Sequence, residues 1–249
     1  MKSGTIILLI AIIVLSLSSF ACNLTSDPCY DSKDPDIQIR ECTKVIGSPF
    51  YKQDVAHNNR CSAYFDKNQL EMALADCTKA IELNKEYDSP YIGRGNVYFT
   101  KRQYDKAMAD YSKAIELNPK SAAAYAGRGI TYQEMGLQDQ AFADHNKSIE
   151  LNPNYALAWM NRGNIFSERN QFDQALADYH KAMELDPNYP VTYSNLAQLY
   201  AKKNDLSEAC KWLEQYAKFG KVNYEDLKQN KAFDRLRNTT CYKKILPDK

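Results

Sequence analysis

Tyr91-Ile92-Gly93-Arg94-Gly95-Asn96-Val97-Tyr98 decides how this chain folds, because the stretch comes back. At an interval of 34 residues stands Tyr125-Ala126-Gly127-Arg128-Gly129-Ile130-Thr131-Tyr132, and at the same interval again Trp159-Met160-Asn161-Arg162-Gly163-Asn164-Ile165-Phe166. Tyr193, Ala197 and Tyr200 continue the register. Ala73, Ala107, Ala141, Ala175 and Ala209 fill a further column, and Pro119, Pro153 and Pro187 close three of the intervals. An internal period of this length means a stack of similar units, each too small to bury its own apolar face. Within one period the apolar residues fall at helical spacing in two stretches, about 88–101 and 104–117, parted by polar Lys101-Arg102-Gln103. Each unit is therefore predicted to be two antiparallel helices. Gly95 and Ala107 are small so that the helices can cross closely, and Pro119 ends one helix and helps start the next.

A large aromatic, a small residue, an aromatic, Ala and Pro at a 34-residue period resembles the tetratricopeptide repeat (TPR) family over about residues 54–221. The resemblance implies an all-α, right-handed superhelix (a solenoid) of antiparallel helix pairs. Its units fall at 54–87, 88–121, 122–155, 156–189 and 190–222, the last degenerate, with Leu196 and Trp212 where the others carry Arg and Asp. Residues 22–53 hold a degenerate N-terminal half-repeat, because 36–46 echo 71–81, and 223–249 form an amphipathic capping tail.

The resemblance also implies a non-enzymatic scaffold that binds a protein or an extended peptide in a concave groove lined by the first helix of each unit. The columns expected there carry Asn58, Ser62 and Phe65; Ile92, Asn96 and Phe99; Ala126, Ile130 and Gln133; and Met160, Asn164 and Ser167. Amides can bond a peptide backbone and apolar residues can receive its side chains. The Lys and Arg clamp with which the family grips acidic chaperone C-termini is absent from these positions. The alternative is a structural assembly or oligomerisation subunit of an envelope complex.

Arg60, Arg94, Arg128 and Arg162 share one column, and Asp76, Asp110, Asp144 and Asp178 another; the fifth unit loses both together. That suggests an ion pair between the helices of a unit. A local account competes, since each Asp has a Lys three residues on, at Lys79, Lys113, Lys147 and Lys181. Either reading is architecture rather than catalysis. His57, His145 and His180 occur without zinc-ligand spacing, so no metal is expected. Gly93-Arg94-Gly95 lies inside a predicted helix rather than in a phosphate loop, and no other cofactor motif or small-molecule site is expected. With 32 Lys and Arg against 31 Asp and Glu, no basic field draws the chain to nucleic acid.

Lys2 precedes an apolar run from Thr5 to Leu17, shorter than the roughly 20 residues that cross a bilayer. Residues 1–21 resemble a secretory signal peptide, with an uncleaved anchor as the other reading. Ala21-Cys22 resembles a lipobox, although Ser19 and Phe20 depart from it, and Ser19-Phe20-Ala21 suits ordinary signal cleavage too. A lipid on Cys22 would be the only membrane contact. The expected location is the periplasm or the outer membrane of a bacterium, with an extracellular one as alternative. Cys22 aside, six cysteines remain that could pair in an oxidising compartment. Cys61 takes the place of the small Gly and faces Cys77 across the helix pair; Cys29 could join Cys42, and Cys210 could join Cys241. Six cysteines allow many other connectivities.

Overall fold

A computed structural model describes residues 28–220, 224–229 and 231–246, and these are helical with no strand among them. The expected signal peptide and Cys22 lie outside the described residues. The chain divides into two compact units, up to Val97 and from Tyr98 onward.

The first unit opens with α1 (Pro28–Asp31) and α2 (Pro35–Val45). The Asp34 carboxylate caps α2 by accepting from the backbone N–H groups of Asp36 and Ile37, and Pro35 supplies a first-turn φ at no hydrogen-bond cost. The pair α3 (Gln53–Asp66) and α4 (Leu70–Leu83) follows, then α5 (Asp88–Thr100), inside which the division between the units falls. The second unit holds α6 (Tyr104–Leu117), the pair α7 (Ala122–Glu134) and α8 (Gln138–Leu151), and the pair α9 (Ala156–Glu168) and α10 (Phe172–Leu185). Next come α11 (Pro190–Lys202), α12 (Leu206–Ala217), the short α13 (Tyr224–Gln229), a 3-10 turn at Lys231–Phe233, and α14 (Thr240–Ile245).

The chain reverses inside each pair through one repeated device. Asn68, Arg102, Gly136, Asn170 and Asn204 stand 34 residues apart and all have positive φ, between 56° and 77°. The N–H after each reaches back five residues, as in Gln103 to the Tyr98 carbonyl and Gln171 to that of Phe166, both at 2.8 Å. This is the Schellman closure of a helix, in which a left-handed residue lets the last carbonyls find donors. Between pairs, Asn84, Asn118, Asn152 and Asp186 each accept through Oδ1 from the N–H two residues on, at 3.0–3.1 Å. Trp159 Nε1 and the Tyr193 hydroxyl then donate to the carbonyls of Pro153 and Pro187, fixing the next helix on that turn.

Small residues let the helices of a pair approach. All five alanines of the repeated column are fully buried. A Cβ on Gly163 would sit 2.7 Å from the Tyr179 ring, and one on Gly129 the same distance from the His145 ring. In the first unit Cys61 occupies the glycine's place and is bonded to Cys77, with Cα atoms 5.4 Å apart. Cys29–Cys42 and Cys210–Cys241 are also bonded, with Cα separations of 4.6 and 5.9 Å. All three pairs are among those the sequence suggests, Cys61–Cys77 from the repeat columns and the other two from their places at the ends of the array.

The charged columns resolve in favour of the interhelical pair. Arg128 donates to both Asp144 oxygens at 2.7 and 2.9 Å, and Arg162 to both of Asp178 at 2.7 Å. Arg60 does the same to Asp76 at 2.6 and 2.8 Å, where His57 Nδ1 also lies 2.7 Å from Oδ1. The local Asp–Lys alternative is corrected: Lys79, Lys147 and Lys181 bond instead to Glu82, Glu150 and Glu184 on the exposed face. A carboxylate aimed at the facing helix cannot also reach a lysine on the outer side of its own.

The tail covers the end of the second unit. Leu227, Phe233, Leu236, Tyr242 and Leu246 join Ala197, Ala201, Ala209, Leu213 and Tyr216 in one buried cluster.

Candidate interaction cleft

Three first helices of the second unit, α7, α9 and α11, border an open cleft of about 340 Å³. Ile130, Gln133 and Glu134 come from α7; Asn161, Asn164, Ser167 and Glu168 from α9; Asn195, Gln198 and Lys202 from α11, with Gln138 and Tyr179 contributed by the second helices α8 and α10. Six carboxamides thus line one surface.

Hydrogen bonds fix several of them. The Asn164 carbonyl oxygen accepts from the Tyr179 hydroxyl at 2.9 Å and from Asn195 Nδ2 at 2.8 Å, so the Asn164 Nδ2 is the group left to donate. Gln133 Oε1 lies 2.8 Å from Nε2 of the fully buried His145. Burial, and after it the positive charge of Arg162, push the His145 imidazole down to about 4. It is neutral at neutral pH, so its Nε2 carries the proton donated to Gln133. Burial pushes the Tyr179 phenol well up, which keeps it a hydroxyl donor to Asn164. Two buried side-chain atoms of residues lining the cleft, Asn161 Nδ2 and Gln138 Oε1, find no partner among the described residues.

Ile130, Gln133, Asn164 and Ser167, expected in the groove, do meet in this cleft. Phe99, also of the second unit, instead leans on the Tyr104 ring with centroids 5.7 Å apart. Ala126 and Met160 correct the expectation: they are 0% and 4% exposed, and Met160 packs in a core cluster with Phe166, Tyr179 and Leu199. Their column faces neighbouring helices, so a ligand in the cleft cannot touch them. In the first unit Asn58 donates to the Tyr87 hydroxyl at 3.3 Å, Ser62 Oγ donates to the Asn58 carbonyl at the same distance, and Phe65 packs beside the Cys61–Cys77 bridge. Ile92 and Asn96 are half-buried on α5.

Asn161 and Asn195 were not foreseen. The signal was present, because they replace Gly93 and Gly127 of one column, and an amide substituted for a glycine changes what that column can do.

Comparison with family models decides the architecture. A model described as TPR repeat matches residues 95–136 and 163–204. Models described as tetratricopeptide repeat match 55–87, 146–177, 122–155 and 191–219. The chain belongs to the tetratricopeptide repeat family. No curated protein matches it.

Among solved structures it is similar to YrrB, described as a TPR protein with an unusual peptide-binding site. Identity is 25%, the match covers 72% of this chain and 91% of that one, and the TM-score is 0.50. It is similar to MamA at 25% identity, over 62% of this chain and 90% of that one, with a TM-score of 0.50. PilF of Pseudomonas aeruginosa shares the fold at 18% identity, 77% and 88% coverage, and a TM-score of 0.64. TPR proteins are generally scaffolds that bind protein or peptide partners. Among the described residues no helix is long and apolar enough to cross a membrane, and no cluster of His, Cys, Asp and Glu could hold a metal ion.

Proposed function

We propose that this chain is an exported, non-enzymatic scaffold of the bacterial envelope, periplasmic or attached to the outer membrane, that holds an extended segment of a partner protein in the amide-lined cleft. The observation that carries the reading is the cleft wall of six carboxamides, in which the Asn164 carbonyl oxygen is held by Tyr179 and Asn195 and its Nδ2 is left to donate. A peptide backbone offers one carbonyl and one N–H per residue, and can satisfy both without regard to its side chains. The peptide-binding site named for YrrB supports the same use of the fold. Three disulfides, two of them with fully buried sulfurs, support assembly in an oxidising compartment. Residues 1–21 would direct the export, and a lipid on Cys22 would be the membrane attachment. Intact-mass analysis of envelope protein checks that attachment by the added acyl mass.

The test of the cleft is crosslinking in cells with wild type and an Ile130→Glu/Gln198→Arg variant. Both side chains are half-buried at the cleft wall, so the fold is retained, as circular dichroism would confirm. Loss of the crosslinked partners is expected; an unchanged partner set removes the cleft as the site. One observation favours the assembly-subunit reading. Phe50 is 91% exposed on a turn whose backbone is held by Gln53, which bonds Gly47, Ser48 and Tyr51. Light scattering across micromolar concentrations separates the two, since an assembly surface of that kind gives oligomers that Phe50→Ser disperses.

A further inference from the structure

The rim of the cleft carries a charge pattern that the backbone-binding reading does not use. Glu134, Glu168 and Lys202 occupy one column of the repeat, on α7, α9 and α11, and all three are exposed. Their bonded partners are neutral. The Tyr104 hydroxyl donates to Glu134 at 3.3 Å, Gln138 Nε2 donates to Glu168 at 2.8 Å, and Lys202 Nζ donates to Ser167 Oγ at 3.2 Å. The neighbouring cations Arg169 and Lys203 are taken by Asp139 and Asp173. So the rim is negative toward α7 and α9 and positive at α11.

Resting on the cleft as the peptide site, we infer that its ligand is a peptide of matching polarity, with basic side chains over Glu134 and Glu168 and an acidic side chain or C-terminal carboxylate over Lys202. Packed helices stand ~8–10 Å apart, and an extended chain advances ~3.3 Å per residue. One step along the column therefore corresponds to about three peptide residues. The Asn164 amide donates to the backbone below, and the rim fixes direction, because reversing the peptide puts like charges together.

The test is selection from a random heptapeptide library on the full chain with its disulfides intact, using wild type and Lys202→Glu. Wild type should enrich peptides with Lys or Arg set about three residues to one side of an acid. Lys202→Glu should exchange the acid for a base, and the wild-type consensus peptide should bind the variant ~10-fold more weakly. Enrichment without charge preference, or an identical profile for the variant, overturns the inference and leaves the cleft standing. Failure of the folded wild type to enrich any peptide overturns both.

Discussion

The two units meet one packing problem with different chemistry. At the place where the helices of a pair cross, the second unit sets a glycine beneath a ring, Gly129 under His145 and Gly163 under Tyr179. The first unit sets a covalent bond there, Cys61 to Cys77. The surroundings differ in the same direction. Among the described residues, Ala73 and Val97 are buried in the cluster around the first bridge and Ala56 in that around Cys29–Cys42, with larger apolar side chains only partly buried against them. The second unit buries Phe166, Tyr179, Leu196 and Leu199 together and closes with Leu213, Leu227, Phe233 and Leu236. A repeat can thus be held by apolar area or by cross-links. A unit held by cross-links depends on the redox state of its compartment.

The largest effect should come from removing those cross-links. Each closes a short loop, of 13 and 16 residues in sequence separation, and each is expected to contribute ~3 kcal/mol. Replacing Cys29, Cys42, Cys61 and Cys77 by Ala should release hydrogen-exchange protection across α2 to α4 while α7 to α11 keep theirs. Equal loss in both units would mean that they unfold as one, and the contrast between them would fail.

Next in size is the buried ion pair. The Asp178 side chain is 5% exposed and Arg162 18%, so Asp178→Ala strands a guanidinium in a mostly dry site. The expected cost is ~3 kcal/mol by urea denaturation, somewhat less than for a fully buried pair because water still reaches the arginine. Arg162→Leu/Asp178→Leu should recover much of it, since no charge is left alone. Leu196 and Trp212 at the same columns of the last pair, where Leu196 is fully buried, show that the fold accepts this solution.

How much of this was legible depended on whether a column keeps one residue type. Tyr, Gly and Ala columns gave the helix pairs and the crossing points, because identity at a fixed interval is direct evidence of equivalent surroundings, while the Arg and Asp columns left the interhelical ion pair as one of two accounts. The reversal column was not legible. Asn68, Arg102, Gly136, Asn170 and Asn204 share a left-handed backbone but not a side chain, and only the glycine advertises it. Met160 and Ala126 misled for a related reason: a helical column fixes the angle of a side chain about its helix, while its burial depends on which neighbours close over it. Asn161 and Asn195 sit where earlier pairs have glycine, so their place in the cleft shows in a departure from the column and not in its repetition.

A smaller effect separates the rings themselves. His145 replaces the tyrosine found at Tyr111 and Tyr179, and its imidazole titrates at about 4 in the fold against 6.5 in the open chain. The unfolded chain therefore binds the proton first. The stability is fully present above the unfolded value and is lost as pH falls from 6.5 toward 4. Near pH 5 the loss is about 2 kcal/mol. His145→Tyr should flatten this part of the pH dependence of Tm. If wild type and variant lose stability in parallel, the acid sensitivity belongs to other groups.

The smallest effect tests the rival account of the aspartate column. Lys181 lies three residues from Asp178 but bonds to Glu184 at 3.0 Å, and the two side chains are 36% and 69% exposed. An exposed pair of this kind contributes ~0.2–0.5 kcal/mol, because water and salt screen it and two long side chains must be ordered. Lys181→Ala should therefore change the urea midpoint barely at all, and 0.5 M salt should erase what change there is. The comparison with Asp178→Ala is what gives the measurement its meaning. If the aspartate drew its stabilisation from the lysine on its own helix, the two substitutions would cost alike and both would respond to salt. A large, salt-insensitive loss for Asp178 beside a negligible one for Lys181 places the energy between the helices, in the contact that defines the pair.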